Sequence, residues 1–352
     1  MKPAYRDFFH RLRRGFATKI IGMVATAAVT VPAWAAQSPA WEILGPATAA
    51  HAAVRVLDTE RMPIRKGVGA GLPADWGAKV LFKGPKNGTL EIVYIPPGAE
   101  GASLHYHETH EWVYLLEGDY TNNESTTPEN YSILQRFREG YFLSRPPYSL
   151  HGGEKARMKW MASQVGAILL NMDESENGAG TYSVDPISKT NPSAASDMTY
   201  DPNFARIRDW QSPRIIDTID RMPWQAVEGS PGLNAKYLVD EPIHGFRATM
   251  YFLEGRAPTP ARFKPHFYSS ALQFNFMLAG DLAIDAYGAA GQAPRRIELS
   301  RYAYIERAPT SIFGLAPTGA TQSGAVWLEV TYAKGNQWLK ESAGIEAASY
   351  LP

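Results

Sequence analysis

The sequence predicts an all-β protein built from two tandem domains of the same fold. Short segments rich in valine, isoleucine, tyrosine, phenylalanine and tryptophan are separated by glycine, proline and asparagine turns, a pattern typical of a β-sandwich or barrel. The second half of the chain repeats motifs of the first half in the same order. A chain of 352 residues, 45% of them hydrophobic, is also long enough for two domains of ordinary size.

Residues 1–36 resemble an export signal. A basic stretch ends at Lys19, an apolar run covers residues 20–31, and residues 33–35 form an A-x-A cleavage site. Residues 13–16, RRGF, resemble the core of a twin-arginine signal, which carries folded proteins; a Sec signal that happens to contain two arginines is the alternative. Because the apolar run falls short of the roughly 20 residues that span a bilayer, we expect a periplasmic or secreted protein without a membrane attachment once the signal is removed.

The charge balance and the lack of cysteine exclude several classes of function. Lysine plus arginine and aspartate plus glutamate each total 35, so no basic surplus is available for phosphate backbones or anionic lipids. We therefore expect no nucleic-acid partner. Without cysteine, the protein has no disulfide, no thiolate nucleophile and no thiolate metal ligand.

Three short motifs recur at a separation of roughly 160 residues, which indicates duplicated domains, since a solenoid would have a shorter period. The pairs are 61–63 (RMP) with 221–223 (RMP), 115–119 (LLEGD) with 277–281 (MLAGD), and 145–147 (RPP) with 307–309 (RAP). We predict one domain at residues 50–172 and a second at residues 204–350. The intervening residues 173–203 are polar and are predicted to be a linker or a surface loop.

Nine segments illustrate the strand pattern of alternating or continuous apolar residues bounded by turn signals. In the first domain they are 79–82, 90–95, 111–116, 141–144 and 167–171; in the second they are 249–253, 274–278, 302–306 and 326–332.

Four candidate metal ligands lie in residues 104–119 and 140–153. His105, His107 and Glu111 share odd numbering, so all three point the same way in a β-strand, whose side chains alternate between faces. Two imidazoles and a carboxylate are costly on a buried face unless something compensates them, and a divalent metal does so. His151 offers a fourth ligand. The alternative interpretation is that these histidines are ordinary polar residues on a solvated strand face.

The same residues carry a resemblance to a known family. The pattern H-x-H-x3-E-x6-G ends at Gly118, and G-x5-P-x4-H runs from Gly140 to His151; together they resemble the two motifs of the cupin superfamily, with the first domain similar to ChrR-like cupins. The departures from the family pattern are Ala99, Tyr148 and Lys155, in place of two glycines and an asparagine. The resemblance implies two tandem jelly-roll domains, or double-stranded β-helices, with an intact metal site in the first.

The second domain lacks two of the four ligands. Gln273 and Phe313 occupy the positions that correspond to Glu111 and His151. His266 and Tyr268 could replace the histidine pair, but glutamine is a poor ligand and phenylalanine is none. We therefore expect no metal in the second domain, and a role for it in stability, pairing or substrate enclosure.

Large apolar side chains also lie on the strand face opposite the ligands. In the two domains they are Trp112, Tyr114 and Leu116, and Phe274, Phe276 and Leu278. Apolar residues on both faces of a strand indicate that the outer face is covered as well. Surface loops, an interface between the two domains, or an interface between subunits of a homo-oligomer would each cover it.

Three imidazoles and one carboxylate suit one divalent transition metal per chain. Iron, manganese, nickel, copper and zinc all accept this ligand set. Export of the folded protein would let the metal be enclosed in the cytoplasm, which favours iron or manganese; copper, nickel and zinc are the alternatives.

The resemblance implies a metal-dependent enzyme that acts on a small-molecule substrate, and we expect an oxidoreductase, specifically a dioxygenase. The alternatives are a cupin isomerase or decarboxylase, and a non-catalytic metal-binding or ligand-binding protein like the cupins of anti-sigma factors. Glu111 is either a ligand or a general base. Tyr148 and Arg145 are candidates to position an anionic or enolic substrate, although Arg145 is equally suited to a structural ion pair. His110 has the outward parity and is predicted not to be a ligand.

Overall fold

A computed structural model describes the fold of this chain. It covers residues 41–44, 54–66, 75–84, 88–102, 104–125, 134–153, 161–174, 180–184, 199–241, 245–264, 266–267, 271–286, 294–333 and 349–350. The predicted export signal lies outside these residues. Within them the regular structure is β-strand, apart from one-turn 3-10 helices at Thr59–Arg61, Phe204–Arg206 and Ala261–Phe263. None of these described helices is long and apolar enough to cross a membrane.

The described strands are numbered in chain order. The strands of the first half are β1 (Trp41–Leu44), β2 (Val54–Asp58), β3 (Arg65–Lys66), β4 (Gly77–Lys83), β5 (Thr89–Ile95), β6 (His105–His107), β7 (Glu111–Ser125), β8 (Leu134–Arg138), β9 (Tyr141–Arg145), β10 (Leu150–His151), β11 (Ala167–Asp173), β12 (Thr181–Ser183) and β13 (Thr199–Tyr200). Those of the second half are β14 (Arg214–Asp217), β15 (Gln225–Ala226), β16 (Leu233–Glu241), β17 (Phe246–Leu253), β18 (His266–Phe267), β19 (Leu272–Gly280), β20 (Leu282–Ala286), β21 (Arg295–Leu299), β22 (Ala303–Arg307), β23 (Phe313–Leu315), β24 (Ala325–Tyr332) and β25 (Ser349–Tyr350). All nine strands illustrated from the sequence are present, with boundaries that differ by a few residues.

The first barrel consists of two sheets that share strand β7. The first half of β7 pairs with β9 and β11 in the larger sheet, which continues through β5 and β4 to β3. The second half of β7 pairs with β8 and β10 in the smaller sheet, which continues through β6 and β12 to β13. The inward side chains form one apolar cluster, which includes Trp76, Val113, Leu115, Phe137 and Leu169.

The second barrel repeats this arrangement. Its larger sheet has the order β1-β2-β22-β19-β24-β17-β16-β15, and its smaller sheet has the order β21-β20-β23-β18-β25. Strands β19 and β20 correspond to the two halves of β7 and are separated at Asp281. A second apolar cluster, with Tyr251, Phe263, Met277, Phe313 and Trp327, lies in the interior.

The first strand of each repeat pairs with the sheet of the other repeat. Strand β2 lies beside β22 of the second barrel, while β14 lies beside β9 of the first barrel. The predicted division at residues 50–172 and 204–350 therefore does not match the sheets, because each barrel includes a strand from the other half of the chain. Residues 39–352 form one compact unit.

The segment 173–203 is more than the predicted linker. Its residues 181–183 form β12, which pairs with the histidine-bearing strand β6, and residues 199–200 form β13, which extends the same sheet. Composition misled the prediction because a three-residue strand of threonine, tyrosine and serine has no hydrophobic periodicity to distinguish it from a polar loop.

The outward faces of the two larger sheets pack on each other. The indole Nε1 of Trp112 donates a hydrogen bond to the Tyr332 hydroxyl at 2.9 Å. The rings of Phe82 and Phe274 lie 5.0 Å apart between centroids. The apolar outer strand faces predicted from the sequence are therefore covered by an interface between the two barrels of one chain.

Candidate metal centre

Three histidine side chains converge inside the first barrel. His105 and His107 lie on β6, and His151 lies on the neighbouring strand β10 directly opposite His105. One nitrogen from each ring can be chosen so that all three lie within 4.8 Å of one another. The three residues are at least 93% buried, with exposed fractions of 7%, 5% and 2%. The alternative of a solvated strand face is therefore wrong, because all three side chains face the interior.

Hydrogen bonds from outside the cluster orient two of the imidazoles. His151 Nδ1 donates to the backbone carbonyl of Ser149 at 3.0 Å, because a carbonyl oxygen only accepts. His107 Nδ1 lies 3.0 Å from the Thr181 hydroxyl. The Nε2 atoms of His107 and His151 are buried and have no hydrogen-bond partner of suitable geometry. A proton fixed on Nδ1 leaves the Nε2 lone pair for a metal.

Glu111 lies at the edge of the histidine cluster. Its Oε2 atom is 3.1 Å from His151 Nε2, 3.5 Å from His107 Nε2 and 2.7 Å from Arg145 Nη1. Burial alone would raise the pKa of Glu111, but the charge of Arg145 and the two nearby imidazoles hold that pKa well below its usual value. The carboxylate is therefore ionised, which suits a metal ligand better than a general base.

The two flanking histidines have opposite pKa shifts. Burial and the charge of Arg145 lower the pKa of His151, which keeps its ring neutral. Burial also acts to lower the pKa of His107, but the carboxylates of Asp173 and Glu111 outweigh it and raise that pKa. A proton on His107 would compete with a metal, because only the neutral ring is a ligand.

Arg145 is held in a buried ion-pair network. Its Nε donates to Glu124 Oε2 at 2.9 Å, its Nη2 also contacts Glu124, and its Nη1 donates to Glu111. The side chain is 3% exposed, and although burial acts to lower its pKa, the charges of both carboxylates raise that pKa well above the ordinary value. This geometry favours the structural ion pair that the sequence left open, since three of the donors are already engaged.

Tyr148 does not lie with the histidines. Its ring stacks on Tyr106 at 5.9 Å between centroids, in a separate cluster that includes Leu104, Leu150 and Trp210. Tyr106 alternates with His105 and His107 along β6, so this cluster is on the other face of the strand. The expectation that Tyr148 positions a substrate at the metal is therefore not supported by its placement. His110, predicted not to be a ligand, contacts Ser144 and the ring of Phe246 instead.

A small cavity adjoins the cluster. It has a volume of about 40 Å³ and is lined by the histidines, Glu111 and Arg145 on one side. Its apolar wall consists of Trp76, Val93, Val113 and Leu169. A space of this size holds a few waters or a ligand of few atoms, since one water needs roughly 10 to 15 Å³ by this measure.

Two contributors to the site were not found from the sequence. Thr181 and Asp173 both approach His107 Nδ1. The Thr181 Oγ1 atom lies 3.0 Å from it, and the Asp173 Oδ1 atom lies 3.8 Å from it. Both belong to the segment that begins at the end of β11, which the polar composition assigned to a linker. The parity of Asp173 with Leu169 and Asn171 on β11 was the available signal, because all three face the cavity.

In the second barrel the ligand positions hold other residues. Gln273 lies opposite Arg307 in the register that Glu111 and Arg145 have in the first barrel, and Arg307 Nη1 donates to Gln273 Oε1 at 2.5 Å. The Arg307 guanidinium lies 4.3 Å from the ring centroid of Phe313. The sequence alignment that matched Gln273 with Glu111 therefore agrees with the strand register of the two barrels.

The residues of the first barrel fit a divalent transition metal. The three histidines supply imidazole nitrogens that point toward one another, and two of these nitrogens, the Nε2 atoms of His107 and His151, have no hydrogen-bond partner. Glu111 supplies a carboxylate beside them. Imidazole and carboxylate together suit iron, manganese, nickel, copper and zinc, and the donor set does not select among them.

The chain has the fold of bicupin oxalate decarboxylases. With a TM-score of 0.52 and 14% identity, 87% of this chain matches 81% of a four-residue mutant of Bacillus subtilis oxalate decarboxylase. A point mutant of the same enzyme matches with a TM-score of 0.51 and 13% identity over 84% of this chain and 82% of the other. The formate complex of Lactobacillus farciminis oxalate decarboxylase matches with a TM-score of 0.50 and 12% identity over 79% of this chain and 87% of the other. No family model and no curated protein sequence matches. The predicted class, all-β with two tandem cupin domains, is confirmed.

Proposed function

We propose that the protein is a metal-dependent cupin enzyme that acts on a small organic substrate in the first barrel. His105, His107 and His151 would hold one divalent metal, with Glu111 as the fourth ligand. The observation that carries this proposal is the buried, pre-oriented histidine cluster beside an ionised carboxylate. When bound, such a metal would bind and polarise a substrate at the positions that the protein leaves open.

The space beside the histidines favours a small substrate. About 40 Å³ is open beside the histidines, and part of its wall is apolar. The apolar side chains limit the water around the reacting groups, which strengthens the electrostatic interactions inside. Because Arg145 is engaged by Glu111 and Glu124, it fixes the charge and orientation of Glu111 and is not free to clamp a substrate carboxylate.

For the reaction we propose an oxidoreductase of the dioxygenase type, with iron or manganese as the favoured metal. A decarboxylase is the second candidate, because the fold is that of oxalate decarboxylases and the cavity suits a very small acid. Protein loaded separately with iron or manganese should be mixed with a panel of small organic acids, diketones and phenols while dissolved oxygen and released carbon dioxide are both recorded. Oxygen uptake in proportion to bound metal supports the first candidate, and carbon dioxide release without net oxygen uptake supports the second. Absence of both, with a substrate-like compound still bound, would support the non-catalytic alternative.

The variant Glu111→Gln tests the part played by the carboxylate. It keeps the size of the side chain and removes its charge. Glutamine is also the residue at the corresponding position of the second barrel, Gln273. We expect turnover to fall much more than metal content, because three imidazoles still hold the ion. Full activity with metal bound would show that Glu111 is neither a base nor an essential ligand.

We also propose that the protein is exported and works in the periplasm or outside the cell. The support is the sequence of residues 1–36 alone. Replacing Arg13 and Arg14 with lysine should trap the precursor in the cytoplasm if the twin-arginine route is used. Unchanged export would leave a signal peptide but refute that route.

A further inference from the structure

Polar side chains occupy the interior of the second barrel at the level of the metal cluster in the first. Gln273, Asn275 and Met277 alternate along β19 and therefore share one face, and Met277 belongs to the core cluster of this barrel. On β24, Glu329 lies directly opposite Asn275, and it shares a face with the core residue Trp327. Asn275 and Glu329 therefore both point inward, with exposed fractions of 3% and 9%.

One of these inward groups lacks a hydrogen-bond partner, and the other is a carboxylate beside two arginines. The Nδ2 atom of Asn275 is buried without a hydrogen-bond partner. Glu329 faces the positive charges of Arg262 and Arg307, and the described part of the chain supplies no hydrogen bond to its carboxylate. A buried amide nitrogen without a partner is costly, and a native protein that keeps one opposite a buried carboxylate calls for an explanation such as a bound molecule.

Arg262 adds a donor on the aromatic wall of the same interior. Its guanidinium lies 4.7 Å from the ring centroid of Tyr251 and 5.1 Å from that of Phe263, and both rings belong to the core cluster of the second barrel. A guanidinium that stacks on rings keeps its N–H groups directed outward in its own plane, where they can bind a carboxylate.

We propose that the second barrel binds a small carboxylic acid that carries a hydroxyl or amino group beside its carboxylate. The ligand carboxylate accepts hydrogen bonds from Arg262 and from Asn275 Nδ2. The neighbouring hydroxyl or amino group donates to Glu329. The rings of Tyr251, Phe263 and Trp327 limit the size of the ligand. This site needs no metal and does not depend on the function proposed for the first barrel.

The test uses the full chain with His105→Ala and His107→Ala, which disables the first site, so that its outcome is separate from that of the metal proposal. Glycolate, glycine, acetate and ethanolamine are titrated in turn by calorimetry and ligand-observed NMR. We expect glycolate or glycine to bind with one site per chain, and acetate and ethanolamine to bind at least about 10-fold more weakly, since each lacks one of the two recognised groups. The first two compounds separate a hydroxy acid from an amino acid.

Two variants locate the site. Glu329→Gln and Asn275→Leu should each weaken binding by about 10-fold or more, whereas Glu298→Gln, a change of an exposed glutamate in the same barrel, should have no effect. Circular dichroism checks that each variant folds, and the comparison with acetate and ethanolamine needs no variant at all. Failure of both glycolate and glycine to bind at about 10 mM, or undiminished binding by folded Glu329→Gln and Asn275→Leu, would overturn the proposal.

Discussion

Glu111 lies between a fixed guanidinium and two imidazoles, so its charge is set by its neighbours. Arg145 is itself held by Glu124, which keeps the guanidinium 2.7 Å from Glu111 Oε2. In the second barrel the same arginine position is kept while the carboxylate is replaced by Gln273. The difference in chemistry between the two barrels therefore depends on a few side chains within a shared framework.

Thr181 orients the candidate ligand His107. It lies on β12, a strand that was not predicted from the sequence. Thr181→Val keeps the shape of the side chain but removes the hydroxyl that lies 3.0 Å from His107 Nδ1. We expect the affinity for a divalent metal to fall by about 10 to 100-fold, since the imidazole loses a partner that fixes its orientation. Competitive titration with a chelator measures this. The matched control Thr199→Val, at an exposed position of the neighbouring strand, should bind metal as the wild type does.

Glu91 is a buried carboxyl on β5 that should make stability depend on pH. Burial and the nearby charge of Asp173 raise the pKa of Glu91 from 4.5 to about 7. Between these values the folded state holds a proton that the unfolded state has released, so this group makes stability fall as pH rises through that window. The loss amounts to at most about 3 kcal/mol.

Urea unfolding of the wild type and Glu91→Gln at several pH values measures the contribution of Glu91. The advantage of the wild type over the variant should decrease steadily from pH 4.5 to 7, the window between the ordinary and the raised pKa. Parallel stability curves for the two proteins would show that Glu91 is not protonated in the folded state.

The four candidate ligands could be found from the sequence because three of them have local spacing and the fourth lies in a recognisable motif. The parity of His105, His107 and Glu111 follows from the period of a strand, and the position of His151 follows from the resemblance to a known motif. The roles of Thr181, Asp173 and Glu124 depend on contacts between strands that are distant along the chain. Side-chain direction was also misjudged at Tyr148, whose positive φ of 63° in the turn before β10 is not visible in the sequence.

Strand β7 passes from the larger sheet to the smaller sheet at Gly118. The residue has a φ of +80°, and a Cβ atom there would lie 1.9 Å from the carbonyl oxygen of Gly166. Gly280 has a φ of +81° and a Cβ position 1.8 Å from the oxygen of Gly324. The close approach of two backbones thus explains the glycine that both repeats keep at this point.

Gly118→Ala should be strongly destabilising, by about 3 kcal/mol or more, because a backbone oxygen cannot move aside as a side chain can. Gly98→Ala is the matched control, since its φ of +76° is similar while the space around its Cβ position is open. This control should cost only about 1 kcal/mol, the expense of the left-handed conformation. Urea unfolding of both variants measures the difference. Equal losses would show that φ matters at Gly118 and the backbone contact does not.

The exchange of edge strands lay beyond what the sequence could predict. The apolar pattern of β2 and β14 identifies strands but does not say which sheet completes its hydrogen bonds with them. In this protein each strand crosses to the other barrel, where it covers an edge that would otherwise be open to pairing with another chain.

At the scale of the whole molecule, the interface between the barrels accounts for the apolar outer faces of both larger sheets. Trp112 and Tyr332 are each fully buried there, and Glu117 accepts hydrogen bonds from Arg301 and Tyr302 across the two halves. The duplication and the all-β class followed from repeats and strand patterns. The domain limits did not, because the two repeats share strands. Assembly into a homo-oligomer stays a prediction, and sedimentation measurements test it.

The metal content of the purified full chain tests the central claim most directly. Wild-type protein, incubated with manganese or iron and freed of excess ion, should hold close to one equivalent per chain. The variant that combines His105→Ala and His107→Ala should hold almost none, because two of three imidazoles are lost. His110→Ala, a change of a buried histidine that faces the other barrel, should hold as much as the wild type. Two equivalents in the wild type, or one equivalent that persists in the double variant, would contradict the account.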